Sequence, residues 1–309
     1  MSSLTITDST YSGQAASPWI VKASTDFATL NKGCIYVADS VRKKLTIPRY
    51  AVNNIIQDRA ATPTTSGTQT VDSRVLEPQD FMVYMEFNPR DFETHWEAEL
   101  LSDLLIGRRI SSEHEDVIIG EVIKYVNKRR DFQVWQSRTS NTNDLKYYNG
   151  LVKKMLDDSN VVDIATPAAL SASNIEAKLN LVKDAIPDDI YEHPDFKYLV
   201  NIETAKFWAD AQRNETYKGT WTESGVMEFD GRPVVALPGL HEDTIIGTYC
   251  SNSPSSNIWM GMNSRGDESL VQLDFLQANS ELMFVKMLLK EDVNYGWGEH
   301  IVLYTTQTA

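Results

Sequence analysis

The chain has 309 residues, enough for one large or two intermediate domains with a sizeable core, and its 42% hydrophobic and 23% charged content is that of an ordinary folded protein. A formal net charge of −14 speaks against a protein that grips nucleic acid through a phosphate-neutralising surface. No run approaches the roughly 18 consecutive apolar residues that span a bilayer, and MSSLTITDST lacks the basic start and apolar centre of a secretory signal, so a cytosolic protein is expected. Cys34 and Cys250 are the only cysteines and have no CxxC spacing, which predicts two reduced, partly buried thiols and no disulfide scaffold.

Residues 1–33 are rich in Ser, Thr, Ala and Asp, with Trp19, Ile20, Phe27 and Leu30 as sparse apolar anchors. That composition predicts an extended arm that gains order on a neighbouring surface, with Trp19 and Phe27 as its attachment points. Over 34–88, the runs CIYVA, KKLTI and FMVYMEF flank the Thr-rich segment ATPTTSGTQT and read as a long β-hairpin with a flexible tip. Pro48, Pro63 and Pro78 cannot donate ladder hydrogen bonds and suit exposed edges. A two-stranded ribbon is marginal in water unless something packs on it, and a neighbouring subunit is one such surface. Arg42, Lys43, Lys44 and Arg49 cluster at its first strand in an otherwise acidic chain. They suit ion pairs across an interface or a solvated basic strand. Exposed pairs contribute only about 0–1 kcal/mol each, so they would select partners more than hold them.

After Asn88 the apolar period changes from two to about 3.6. Asn88, Pro89 and Asp91 form a helix start, and Phe92, Trp96, Leu100, Leu104 and Leu105 mark one helical face ending near Gly107. Ser112 with Glu115 has capping-box spacing, and Val117, Ile118, Val122 and Val126 carry a second apolar stripe to about Arg130. A polar linker over 137–144 marks a boundary. Ser173 with Glu176 repeats the capping-box spacing before Ile175, Leu179, Val182 and Ile186, the buried face of a helix stopped by Pro187. A strand is expected over 196–200 and a helix over 203–213. Further strands follow over 233–237, stopped by Pro238 and Gly239, and over 244–249. Two apolar runs, 270–276 and 282–289, precede a Gly-rich turn and a last strand over 299–304. The alternation of helices and strands after the linker predicts an α/β or α+β domain with a central sheet.

Catalytic signatures are missing: there is no P-loop, GxSxG elbow, HExxH or Gly-rich dinucleotide turn. His95, His114, His193, His241 and His300 are dispersed. His95 with Glu97 and Glu99, and His241 with Glu242 and Asp243, hold ligand types, but sequential neighbours rarely converge on one metal. The pairs Asp157–Asp158 and Asp188–Asp189 sit beside turn residues, where carboxylates are normally solvated or cap the backbone. Trp221, Trp259 and Trp297 read as core or interface anchors before they read as a sugar platform. No catalytic residue, cofactor or metal site is expected.

The C-terminal strings FDGRPVVALPGLHEDTIIGTY, NIWMGMN and GWGEHIVLY, in that order, resemble the C-terminal half of tailed-bacteriophage major capsid proteins of the Hong Kong 97 type. Asn149, Gly150 and Leu151 resemble the turn that opens the axial domain of that family. The resemblance implies an α+β capsid fold divided into an N-terminal arm (1–33), an extended loop (34–88), a peripheral domain with a long spine helix (89–136), an axial domain (137–265) and return strands of the peripheral domain (266–309); the break or bend expected here around 107–112 departs from the family's single spine helix. It further implies a subunit that self-assembles through pentamers and hexamers into an icosahedral head around double-stranded DNA, without sequence-specific binding to it. Portal and scaffolding proteins, and a decoration protein, are the partners it brings. Assembly would take place in the host bacterial cytoplasm. Arg42, Lys43, Lys44 and Arg49 become inter-subunit candidates alongside Trp19 and Phe27. Some family members link a lysine of the loop covalently to a neighbour's asparagine. Here no lysine lies between Lys44 and Lys124, and an uncrosslinked shell is expected. The chain starts at Met1 without the scaffolding segment many relatives carry, so separate scaffolding, or assembly without it, is expected. An encapsulin-like nanocompartment shell is the alternative, and an unrecognised enzyme or carbohydrate-binding module a more distant one.

Overall fold

The computed structural model describes residues 26–62, 64–88, 112–214, 227–264, 271–277 and 281–308. Trp19 and the rest of the expected arm through residue 25, the helical face from Phe92 to Leu105, His95 and Trp221 lie outside them. In chain order the elements are α1 (Ala28–Asn31), β1 (Tyr36–Ala38), β2 (Leu45–Asn53), β3 (Thr68–Leu76), β4 (Gln79–Phe87), α2 (Ser112–Gln136), α3 (Leu151–Leu156) and β5 (Val162–Asp163). There follow α4 (Ile175–Ala185), α5 (Asp188–Tyr191), β6 (Phe196–Val200), α6 (Ile202–Asn214), β7 (Glu228–Phe229), β8 (Arg232–Ala236), β9 (Thr244–Tyr249), β10 (Ile258–Met262), β11 (Gln272–Phe275), β12 (Met283–Tyr295) and β13 (Val302–Thr305). The chain divides into two units, one built from Met1–Asp26, Asp80–Arg129 and Ser264–Lys290, the other from Phe27–Gln79, Arg130–Asn263 and Glu291–Ala309.

The second unit is organised by a six-stranded mixed sheet in the order β5-β13-β9-β6-β8-β7. Strand β6 pairs antiparallel with β9 and parallel with β8, and β13 closes on β9 antiparallel. The central strands β9 and β13 are buried along almost their whole length, which accounts for the near-continuous apolar runs in their sequences. Helix α4 lays Ile175, Leu179, Val182 and Ile186 on this sheet, the face expected from the 3.6 period, and α6 adds Ala205 and Trp208. Each such side chain taken fully out of water contributes about 1.5–3 kcal/mol.

The start of α4 differs from the expected capping box. Asn174, not Ser173, is the N-cap residue, and its side chain makes no capping bond. Its Oδ1 accepts the Ser171 N–H at 2.8 Å while its Nδ2 donates to the Ala169 carbonyl at 2.9 Å, so the amide shapes the turn before the helix. The Ser173 hydroxyl faces that of Ser171 at 3.0 Å.

In the first unit, β4 pairs with β12, and β11 pairs antiparallel with residues 283–286 of β12. Phe87, Met283 and Val285 are buried there, with Ile118 and Val122 of α2 and Leu273 and Phe275 of β11 packed on them. Tyr84 and Phe284 stack with ring centroids 6.1 Å apart.

Helix α2 runs past its expected end at Arg130 to Gln136. The added turns bury Val134 and Trp135, and the Trp135 indole donates to the Thr29 hydroxyl at 2.8 Å. Asp131 accepts the Thr29 N–H at 2.9 Å, so this end of α2 fixes the short helix α1. Two glycines permit close approach here. A Cβ at Gly239 would lie 2.2 Å from the Asp131 carbonyl oxygen, and one at Gly150 would lie 2.8 Å from the Trp135 backbone. Arg130 and Glu291 form a buried ion pair, with Nε donating to Oε1 at 2.6 Å and both side chains only 2% exposed. The last strand begins at Val302, later than expected, because Ile301 N–H bonds back to the Gly298 carbonyl and closes a turn over 298–301.

Candidate inter-subunit surface: a two-faced ribbon

Among the described residues strands β2 and β3 pair only with each other, in register from Leu45 opposite Leu76 to Asn53 opposite Thr68. The ribbon is therefore narrower than the 34–88 hairpin read from the sequence. CIYVA supplies β1, which pairs in parallel with β10, and FMVYMEF supplies β4, which joins β12. Those two runs bury apolar side chains in larger sheets, whereas most residues of β2 and β3 are exposed or half-buried. Part of the Thr-rich stretch expected in the tip, Thr68 to Thr70, is strand, and Gly67 with φ of +82° turns the chain into it. A side chain at Gly67 would meet the Asn53 carbonyl oxygen at 2.4 Å.

Opposed residues of an antiparallel pair share a face. One face carries Ile47, Arg49, Arg74 and Leu76. Ile47 and Leu76 are buried, and the two arginines lie over aromatic rings at and just past the end of β12: the Arg49 guanidinium 5.0 Å from the Trp297 ring, the Arg74 guanidinium 4.2 Å from that of Tyr295. Arg49 also donates to the Gly296 carbonyl at 3.1 Å and pairs with its cross-strand neighbour Asp72. Arg74 pairs with Asp158, whose carboxylate further accepts the Tyr295 hydroxyl at 2.9 Å and the Asn160 N–H at 3.0 Å. Burial alone would raise the Asp158 carboxyl, but Arg74, the Asn160 N–H and Tyr295 together bring it down to about 2. Burial and the neighbouring Arg74 charge lower Arg49 from its usual value. The root is completed by Asp292, which accepts the Glu77 N–H and the Lys154 ammonium, each at 2.8 Å, and by Asn294 donating to the Val75 carbonyl at 2.8 Å.

The opposite face carries Pro48, Tyr50, Val52, Val71 and Val75. Tyr50 is 61% exposed and its cross-strand partner Val71 79%, and Ile56 near the tip is 95% exposed. This row of apolar side chains stands in water, and among the described residues its two strands have no third strand to pair with.

The residues singled out in the sequence are thus placed unequally. Phe27 is buried, with the Arg130 guanidinium 4.9 Å over its ring. Arg42 and Lys43 are exposed; Lys44 pairs with Glu77 at 3.1 Å across the ribbon root, both largely solvated. Arg49 is engaged at the root within its own chain. Trp297 anchors Arg49, and Trp259 packs edge-on against Tyr36 at 4.6 Å. Asp158, expected as a solvated or backbone-capping turn carboxylate, does cap the Asn160 N–H and in addition holds Arg74. Cys34 and Cys250, read as partly buried, are both fully buried. The Tyr249 hydroxyl and His300 Nδ1 share a hydrogen bond at 3.1 Å, and His300 lies on Trp297 at 5.9 Å between ring centroids. Among the described residues no group of His, Cys, Asp and Glu is placed to hold a metal ion, and no helix is long and apolar enough to cross a membrane.

No family model matches the chain, and no curated protein matches it significantly. Solved structures do. The capsid of a native GTA particle aligns over 96% of this chain and 96% of its own, with a TM-score of 0.62 at 11% identity. The capsid of Myoviridae phage XM1 aligns over 96% and 97%, with a TM-score of 0.61 at 12% identity. A chain from Mycobacterium phage Che8 aligns over 99% and 100%, with a TM-score of 0.57 at 9% identity. At such identities the likeness concerns the fold: this chain has the α+β fold of tailed-phage capsid proteins, as its C-terminal strings implied.

Proposed function

We propose that this protein is a major capsid protein. Many copies associate through pentamers and hexamers into a closed icosahedral head that encloses double-stranded DNA. The observation that carries this reading is the ribbon: one face is fastened to its own chain by Arg49 and Arg74, and the other offers Tyr50, Val52, Val71 and Val75 to water. A shell subunit gives such a face a neighbour to cover it. The fold shared with phage capsids over nearly the whole chain supports the same reading.

In this proposal 1–33 is the arm, 34–88 the extended loop with the ribbon, 89–136 the peripheral domain with its spine helix, 137–265 the axial domain and 266–309 the return to the peripheral domain. Trp19 attaches the arm. Arg42, Lys43 and Lys44 select the partner through exposed ion pairs, whereas Phe27 and Arg49 act by fixing the elements that reach it. Contacts of roughly 1,000–2,000 Å² each can be individually weak, because ordering and association costs offset most of the area. Closure of heterologous contacts into rings multiplies them. The net charge of −14 suits an inner wall that encloses DNA without holding it tightly. Portal and scaffolding proteins, and a decoration protein, complete the particle, which forms in the host cytoplasm.

Expression of the full chain followed by negative-stain microscopy tests the proposal. Closed particles or capsomers are expected, and Val71→Asp, which puts a charge in the outer stripe of the ribbon, reduces them at least tenfold while the subunit stays folded. A monodisperse monomer at every concentration, with or without the substitution, would refute the reading.

A further inference from the structure

A row of stacked side chains within the second unit links the end of β9 to the root of the ribbon. His193 stacks on Tyr249 with ring centroids 4.5 Å and planes 27° apart. Tyr249 meets His300 at 5.6 Å between centroids, with its hydroxyl 3.1 Å from His300 Nδ1. His300 lies on Trp297, whose ring carries the Arg49 guanidinium. The backbones behind these rings are pinned. The His193 carbonyl accepts the Phe196 N–H at 3.0 Å, the His300 carbonyl accepts the Thr248 hydroxyl at 2.9 Å, and Asn257 accepts the Trp297 N–H at 2.7 Å while donating to its carbonyl at 3.0 Å. With the backbones held, the rings part only by swinging out of the row.

A charge on His300 is badly placed in this row. His193, Tyr249, Trp297 and His300 are all half-buried, so an imidazolium there loses part of its hydration. It would also be a second cation on a ring that Arg49 already occupies. Burial holds His300 below the usual histidine range; the Glu299 and Asp189 carboxylates oppose that and His193 adds to it. Relief from the other side of Tyr249 is blocked, because His193 Nδ1 is taken by the Asp195 N–H at 3.1 Å. The remaining charges nearby are Arg232, which donates to the His193 carbonyl at 3.5 Å, and, around Arg49, its partner Asp72 with Arg74 and Asp158.

We propose that the row is an acid-operated latch: protonation of His300 opens it and loosens the root of the ribbon, while the central sheet stays closed. The sign follows from the direction in which His300 is displaced. A histidine lowered in the folded state contributes fully above its unfolded value of about 6.5, and the contribution is lost as pH falls from there through the lowered folded value. The latch belongs to the single subunit and does not rest on assembly. Opening it frees the strand pair that carries the outer apolar stripe.

Amide hydrogen exchange of the full-length chain, read by mass spectrometry and divided at each pH by the intrinsic chemical rate, tests this. Protection over 45–53 and 68–76 should fall at least about threefold between about pH 7.5 and 5, with that of β6 unchanged. His300→Phe keeps a ring that takes no proton, and its ribbon protection should be constant over the same range. A magnetic-resonance titration of the wild-type imidazoles should put the His300 midpoint below about 6.5. Constant ribbon protection in the wild type, an equal fall in His300→Phe, a fall shared by β6, or a His300 midpoint at or above the unfolded value overturns the proposal. The two wild-type measurements decide the matter even if the variant does not fold.

Discussion

Arg130 and Glu291 show how much depends on single residues in this fold. Two charges withdrawn from water are costly, and their attraction repays that only while both are present. Glu291→Gln keeps the shape and removes the counter-charge, and it is expected to destabilise the protein by about 3 kcal/mol, read as a lower urea midpoint at unchanged slope. Replacing both residues by leucine and methionine should cost less than the single change, since no charge is then buried. If Glu291→Gln is neutral, the pair is more hydrated than its 2% exposure implies. None of this was legible in the sequence. Glu291 sits in a strand between Lys290 and Asp292, where it reads as one of a run of solvated charges, and its partner lies on a helix far away in the chain. Asp158 was similarly opaque. Beside Asp157 in a turn it looks like any solvated carboxylate, and only the return of Arg74 on the ribbon makes it a fastening point.

At the scale of elements, the fastening of the ribbon has a defined pH dependence. The Asp158 carboxyl is depressed to about 2, below its unfolded value of about 3.9, so its contribution is complete above the unfolded value and lost as pH falls through about 2. Asp158→Asn lacks that contribution at every pH. Wild type and variant should therefore differ in urea midpoint at pH 6 and converge toward pH 2, with the variant cleaved faster by protease in the ribbon at pH 6. A constant difference down to pH 2 would mean that Asp158 acts through packing alone. The elements most readable beforehand were those with local signals. Phe196–Val200 matches its expected span, and the α4 face follows its period. The limits of the ribbon were not readable, because whether CIYVA joins β2 or a strand more than 200 residues later depends on which partner buries it, and β10 does. The cap of α4 was misassigned for the opposite reason: Ser173 and Asn174 are both competent caps, and the preceding turn chose between them.

For the whole molecule, absence of lysine between Lys44 and Lys124 leaves the tip of the ribbon without an amine to donate to a neighbour. Assembled particles should run as monomers in denaturing electrophoresis, and a ladder of covalent oligomers surviving reduction would contradict this. In the proposed shell cohesion then rests on surfaces, and the apolar stripe from Tyr50 to Val75 has a cost outside it. A subunit released into crowded solution carries an adhesive patch from the moment it folds, and apolar contact alone does not tell a correct neighbour from a wrong one at first touch. Productive growth thus favours slow, dilute supply of subunits, and abrupt overproduction should yield amorphous precipitate where gradual synthesis yields order.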